Sequence, residues 1–223
     1  MITISKENYL KAIFEAEAEG VNVIPATVAH WLGVTPPAVT MALRRLKRDK
    51  LIRYQRDGRI RLTKQGRVVA QRLLSKHHLI ERMLSEIFGL EWYKVHDEAE
   101  RLEHAVSDDF EAKLVKRLGP DAVCPHGNDA TPLNPAERRK RGLELLAEVP
   151  EGRGYVVASV YERDRKLLEL FDRYGIRPGN RVKVMARNYD QTLSLSVGKT
   201  RFVLGNPAAT QVWVYTSRPT STH

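Results

Sequence analysis

Between Ala26 and Thr63 the chain spells out a short helix, a tight turn, a second helix and a hairpin, and few folds accept that order. Ala26–Leu32 reads as a short helix stopped by Gly33, and Thr35-Pro36-Pro37 opens the next one. Threonine is a fair N-cap, and proline is tolerated in the first turn, where the backbone N–H has no intrahelical partner. This helix is expected to run to about Asp49, with Val39, Ala42, Leu43 and Leu46 as its buried stripe. Leu51 to Thr63 then alternates on either side of Asp57-Gly58, a strong hairpin signal. The sum is a winged helix-turn-helix, whose second helix suits the major groove of DNA.

Charge supports that reading. Arg44 to Arg67 holds eleven Lys/Arg against two acids, Asp49 and Asp57, in a chain of net charge +10. A concentrated basic excess points to a polyanionic partner. The solvent-facing residues of the second helix are Thr35, Pro37, Ala38, Thr40, Met41, Arg44, Arg45, Lys47 and Arg48. Ala38 or Met41 can meet a thymine methyl, while Thr40 and the arginines can hold phosphates. Arg56, Arg59 and Arg61 on the hairpin can reach the flanking backbone, each phosphate contact adding salt dependence. The plainer reading is a solvated basic face on a protein-binding winged helix. The charge density and the small residues at the helix start favour DNA.

Around this segment the pattern is mainly helical, then β. Residues 5–19 read as a helix capped by Ser5. Thr63 caps a long helix to about Phe88, another covers 92–118, and 119–135 is an ordered loop. A short helix at 135–147 leads to a linker, Pro150 to Gly154. From Tyr155 come a strand to Tyr161, a helix at 164–174, and strand runs at 181–187, 192–204 (turning at Gly198-Lys199) and 211–216. One helix among short strands fits a small barrel. The domains expected are 1–64, a winged helix-turn-helix; 65–147, helical; and 152–217, a small β-barrel. A single cysteine, Cys124, rules out an intramolecular disulfide. There is no apolar run of membrane-spanning length, and the opening residues lack a signal peptide's apolar stretch. Together these point to the cytoplasm.

Four of the seven histidines lie between 77 and 104, next to Glu and Asp. His77 and Glu81 stand four apart, and so do His96 and Glu100, with Glu103 and His104 a further turn on. Such offsets place side chains near one helix face. Nitrogen and oxygen donors without thiolate suit Mn(II), Fe(II), Co(II), Ni(II) or Zn(II), with carboxylates leaning toward Mn(II) and Fe(II). The alternative is a solvated acidic face with ordinary salt bridges.

Four runs carry a family resemblance: Glu7-Asn8-Tyr9-Leu10-Lys11-Ala12-Ile13, Lys76-His77-His78-Leu79-Ile80-Glu81-Arg82, Val95 to His104, and Cys124-Pro125-His126-Gly127-Asn128. The chain resembles the diphtheria toxin repressor family of iron- and manganese-dependent regulators, which includes the manganese transport regulators. That resemblance implies a metal-activated transcriptional repressor of metal-homeostasis genes. It implies a homodimer held by the 65–147 helices, a palindromic DNA operator, and a C-terminal SH3-like (FeoA-like) domain. It implies one metal site from His77, Glu81 and His96 with a C-terminal donor, Asp164 first and Glu162 second. A second site would use Glu100, Glu103, His104 and the side chain at position 8, here Asn8. Glu100 stands where iron-type members carry cysteine, which points to manganese. Asn8 replaces the Asp or Met usual in the family, and Lys11 replaces a carboxylate of some manganese-type members. Cys124 and His126 are read as structural, since one cysteine makes no ordinary zinc set.

Two other functions compete. A metallohydrolase built on His77, Glu81 and His96 needs an open coordination position and a cleft. A DNA-binding activator with a structural metal needs no reversible metal response. Ser196 to Thr200 resembles a phosphate loop, but Leu193 stands where that motif needs glycine.

Overall fold

The computed structural model describes residues 3–120 and 123–216. Positions 121–122 of the expected loop and the last residue of the expected 152–217 domain lie outside that set. The chain divides into two compact units. Among the described residues the first comprises 3–80, 101–120 and 129–136, and the second 81–100, 123–128 and 137–216.

In the first unit α1 (Ile4–Ala18), α2 (Pro25–Leu32), α3 (Pro36–Arg48) and the pair β1 (Ile52–Tyr54) and β2 (Ile60–Leu62) enclose one core. The strands are antiparallel, with Ile52 opposite Leu62. Tyr9, Leu10, Ile13 and Phe14 of α1 meet Val39, Leu43 and Leu46 of α3 there. Thr3, two residues before the expected Ser5, caps α1 by accepting the Lys6 N–H at 3.4 Å. The wing turn places Gly58 at φ 79°. Helix α4 (Lys64–Arg82) follows at once, and Thr63 Oγ1 accepts the Gly66 N–H at 3.1 Å. Gly66 is sterically required, because a Cβ there would lie 2.0 Å from the Leu51 carbonyl oxygen.

Two long helices of the sequence reading are interrupted. After Arg82 the helix widens into a π-helical turn, Met83–Ile87. The expected 92–118 helix is a 3₁₀ turn (Trp92–Lys94), α5 (Val95–Leu102) and α6 (Asp108–Leu118). The break has a local cause. Ser107 accepts the Phe110 N–H at 3.3 Å, and Asp108, Asp109 and Glu111 load the new N-terminus with acid. Glu103 and His104 therefore sit in a turn.

The second unit holds a six-stranded sheet in the order β3-β8-β4-β5-β6-β7. These are β3 (Glu144–Leu145), β4 (Gly154–Val160), β5 (Arg181–Arg187), β6 (Leu193–Val197), β7 (Thr200–Leu204) and β8 (Val212–Thr216), with every paired neighbour antiparallel. The expected helix at 135–147 is only α7 (Pro135–Lys140), and β3 follows it in the sheet. The expected linker is bonded to β5: Gly152 N–H donates to Val184 O at 2.8 Å, and Arg187 N–H to Glu151 at 2.9 Å. Helix α8 (Arg165–Tyr174) buries Leu168 and Phe171 against Val157, Val182, Val184, Leu193 and Leu195. A four-residue helix, α9 (Asn206–Ala209), precedes β8. Among the described residues no helix is long and apolar enough to cross a membrane.

Candidate metal centre and nucleic-acid interface

Four segments of the second unit bring donor atoms to one place. Glu81 comes from the end of α4, His96 from α5, Cys124 and His126 from the Cys-Pro-His-Gly-Asn loop, and Glu162 from just beyond β4. Glu81 and His126 have no solvent exposure, and His96 and Cys124 are buried. His96 Nδ1 lies 3.0 Å from Glu81 Oε1, and His126 Nδ1 lies 3.6 Å from the same oxygen. Glu162 Oε2 is 3.1 Å from Cys124 Sγ and 3.4 Å from His126 Nδ1. The ligand atoms of Glu81, Cys124 and Glu162 all lie within 4.8 Å of one another. Two donors each about 2.1 Å from one ion, at angles of 90–110°, stand roughly 3.0–3.5 Å apart. Two carboxylates, two imidazoles and a thiol, each 3.0–3.6 Å from at least one other, are donor types that suit a divalent transition ion.

The loop is held by its own sequence. Gly127 sits at φ 84°, and a Cβ there would lie 2.1 Å from the Ala158 carbonyl oxygen. Its N–H donates to Cys124 O at 2.9 Å, closing a turn, and Val160 N–H donates to His126 O at 3.0 Å, docking the turn on β4. Asn128 Nδ2 donates to Val160 O at 3.0 Å and to Glu162 Oε2 at 2.8 Å, aiming that carboxylate at Cys124. Trp92 donates from Nε1 to Pro125 O at 2.9 Å, and its own carbonyl lies 3.1 Å from His126 Nε2. That second contact leaves His126 Nδ1 facing the carboxylates.

The electrostatics match a centre built for a cation. Burial opposes a charged His126, yet the Glu81 and Glu162 carboxylates outweigh it and hold its pKa at about 10. Burial, reinforced by the same two carboxylates, pushes the Cys124 thiol well above its ordinary value. The negative field that raises both is the field a divalent ion relieves.

A second cluster lies within the first unit. Lys11 Nζ is 2.7 Å from Glu103 Oε2 and 3.0 Å from His77 Nδ1, and the last two are 2.7 Å apart. All three are buried. Burial would raise the Glu103 carboxyl, but the His77 hydrogen bond and the Lys11 charge hold it below the ordinary value. His104 Nε2 lies 2.6 Å from Asn8 Oδ1, and its Nδ1 lies 3.3 Å from Glu7 Oε2.

The expected site residues fall as follows. Glu81 and His96 meet as expected, and His77, also buried, turns its Nδ1 to Glu103 and Lys11. Asp164, the first choice as C-terminal donor, is exposed and caps α8, accepting the Leu167 N–H at 3.1 Å. Glu162, the second choice, stands in the cluster. Cys124 and His126, expected to be structural, lie beside these carboxylates as well. The one sequence signal that brings them together is the Cys-x-His spacing. Glu100 is half exposed and faces His96 Nε2 at 3.9 Å.

On the winged helix, Thr35, Pro37, Ala38, Thr40, Met41, Arg44, Arg45, Lys47 and Arg56 are all exposed. Val39, Leu43 and Leu46 hold the opposite face of α3 in the core. Two expected contacts have internal partners. Thr40 donates its hydroxyl to Pro36 O at 3.0 Å. Arg59 pairs with Asp57 at 2.5 Å and donates to Asn22 Oδ1 at 3.2 Å, bracing the wing.

Comparison with known proteins decides the family. The chain is 34% identical over 202 residues to the diphtheria toxin repressor of Corynebacterium jeikeium, spanning 81% of this chain and 84% of that protein. The chain belongs to the diphtheria toxin repressor family. It is a metal-dependent, DNA-binding transcriptional repressor in the three-domain form of that family. Residues 1–60 match the iron dependent repressor N-terminal DNA binding domain, 63–132 its metal binding and dimerisation domain, and 145–216 the FeoA domain, whose fold is SH3-like. The iron-dependent repressor IdeR of Mycobacterium leprae is 34% identical over 189 residues, 80% of this chain and 82% of that one. Among solved structures, a manganese-dependent transcriptional repressor in complex with manganese superposes with TM-score 0.84 at 30% identity, covering 95% of this chain and all of that one. ScaR with bound Zn2+ superposes with TM-score 0.77, also at 30% identity, covering 95% of this chain and 99% of that one.

Proposed function

We propose that this repressor is switched on by a divalent cation held by Glu81, His96, Cys124, His126 and Glu162. As a homodimer it then presents two α3 helices to successive major grooves of a palindromic operator. The observation that carries the reading is the convergence of five donors from four chain segments, four of them buried and each 3.0–3.6 Å from another. When bound, the ion supplies a divalent charge that neutralises both carboxylates and takes the place of the protons on Cys124 and His126.

The residues around that charge set its effect. Asn128 holds Glu162 in place, and Trp92 sets the His126 ring. Glu81 sits at the end of α4, the helix that begins directly after the wing, so α4 is the covalent connection between wing and centre. A state in which the five donors are drawn together binds metal more tightly. If that same state binds DNA, metal and operator strengthen each other's binding by equal factors. On DNA, we assign base-edge contacts to Thr35, Pro37, Ala38 and Met41, and phosphate contacts to Arg44, Arg45, Lys47 and Arg56, with Thr40 able to donate to a phosphate once its hydroxyl turns from Pro36 O. Arg59 serves mainly to brace the wing.

The protein acts by binding, without catalysis, in the cytoplasm. Four of the five donors are buried, which suits holding an ion better than admitting a substrate. Within the expected set of ions the thiol shifts the preference from Mn(II) toward Fe(II), Co(II) and Zn(II), with Mn(II) still accommodated by the carboxylates. The decisive experiment is a titration of the chain against its own upstream DNA, in chelator and then with Mn(II), Fe(II) and Zn(II) in turn. Binding that requires metal and disappears in Glu81→Gln supports the reading. Equal affinity in chelator sinks it.

A further inference from the structure

The cluster around Glu103 does not fit a divalent ion as the first one does. Its carboxylate oxygen Oε2 is already engaged by two groups, the Lys11 ammonium and His77 Nδ1, each at 2.7 Å. Lys11 is 3% exposed, so its charge sits inside the protein with Glu103 as an ion-pair partner at contact distance. Asn8, the remaining expected donor on α1, is neutral, and its Oδ1 lies 2.6 Å from His104 Nε2. The other oxygen, Oε1, faces His104 Nε2 at 3.5 Å, so a divalent ion entering there would stand beside a buried ammonium that already balances the Glu103 charge.

We infer that the Lys11 ammonium is the resident cation of this cluster, so that it joins α1 to α4 and to the 103–104 turn without any metal, leaving one metal ion per chain at the Glu81 centre. The geometry suits that role. Lys11 follows Leu10 and precedes Ile13 and Phe14, which lie in the core of the winged helix. Its amine crosses to a residue of α4 and one of the turn after α5. A fixed monovalent cation holds these three pieces together at every metal concentration. Metal responsiveness then belongs to the Glu81 centre alone. The cluster is open to a test with free ions, because Glu103 and His104 line a cavity of about 420 Å³.

This inference rests on the metal reading of the Glu81 centre, and the test separates the two. Metal-free protein is titrated with Co(II) by calorimetry, bound metal is counted after gel filtration, and melting temperature is recorded with and without metal. Wild type is expected to bind one ion per chain. Cys124→Ala is expected to lose or weaken that ion by at least tenfold, and Glu103→Gln to leave the count at one. Lys11→Met is expected to melt lower without metal, and to gain a second ion that the double variant Lys11→Met/Glu103→Gln lacks. If Lys11→Met does not fold, the count in Glu103→Gln carries the test alone. Two ions per wild-type chain, one of them lost in Glu103→Gln, overturn the inference and leave the Glu81 centre standing. No ion in wild type overturns the metal reading of that centre. In that case an unchanged metal-free melting temperature in Lys11→Met overturns the resident cation as well.

Discussion

Glu162 Oε2 lies 3.1 Å from the sulfur of Cys124, thirty-eight positions away in the chain, and Asn128 holds it there with a hydrogen bond of 2.8 Å. A thiol beside a carboxylate, both facing Glu81 and His126, gives the centre a spectroscopic signature. Co(II) bound there should show a near-ultraviolet sulfur-to-cobalt charge-transfer band. Cys124→Ser should abolish the band and weaken metal affinity by about 10-fold or more, since even residues that only orient ligands cost 10–100-fold. A band that survives in Cys124→Ser places the ion elsewhere.

Metal binding should release protons. In the metal-free protein His126 titrates at about 10 and the Cys124 thiol above its ordinary value, so both are protonated at neutral pH. Ligation needs the neutral imidazole and the thiolate, so protons compete with the ion and affinity falls as pH is lowered. Calorimetric titrations in two buffers of different ionisation enthalpy should report about two protons released per metal at pH 7. Zero release would mean that neither group is a ligand.

Asp164 and Glu162 are two residues apart and should behave differently. Asp164→Ala removes the side-chain cap of α8 and should cost about 1 kcal/mol of stability, with metal affinity unchanged. Glu162→Gln keeps the shape but removes a charge that faces the buried His126, and should weaken metal binding and lower metal-free stability together. Thermal denaturation of the two metal-free proteins, together with their Co(II) titrations, tests the pair.

Gly127→Ala should be among the more damaging single substitutions in this region. The new methyl meets the Ala158 carbonyl, and the residue must hold a left-handed φ. Together these should cost about 2–4 kcal/mol and displace Cys124 and His126 from the centre. The result expected is a lower melting temperature and a weaker metal titration in one protein. Wild-type values for both would show that the turn is not held as described.

On the DNA side, Arg44 and Arg45 are exposed on α3 with the buried stripe behind them. Replacing either with alanine should weaken operator binding and flatten the plot of log affinity against log salt by about 0.9 per lost phosphate contact. Met41→Ala should leave that slope unchanged while altering preference among operator variants with thymine substitutions. Fluorescence anisotropy at several salt concentrations distinguishes the outcomes.

The sequence by itself determined the winged helix, because its signals are local. Pro36 and Pro37 start a helix, Gly33 ends one, Asp57-Gly58 turns a hairpin, and the basic residues fall on the face opposite Val39, Leu43 and Leu46. The strand run at 181–187 and the Gly198-Lys199 turn were legible for the same reason. Helical spacing alone paired Glu81 with His77 but could not say which way each ring turns. Only the tertiary structure decided that the Nδ1 of His77 meets Lys11 and Glu103, and that Glu81 stands beside His96 and His126. The same holds for Glu162 over Asp164: both are acids beside β4, but a capping bond to Leu167 N–H takes one, and Asn128 directs the other inward. Cys124 and His126 come beside Glu81 and Glu162 only because Gly127 lets their loop lie against β4. Contacts between segments dozens of residues apart leave no periodic trace in the chain. Their outcome depends on which buried polar group finds a partner, and that is settled only once the core has closed.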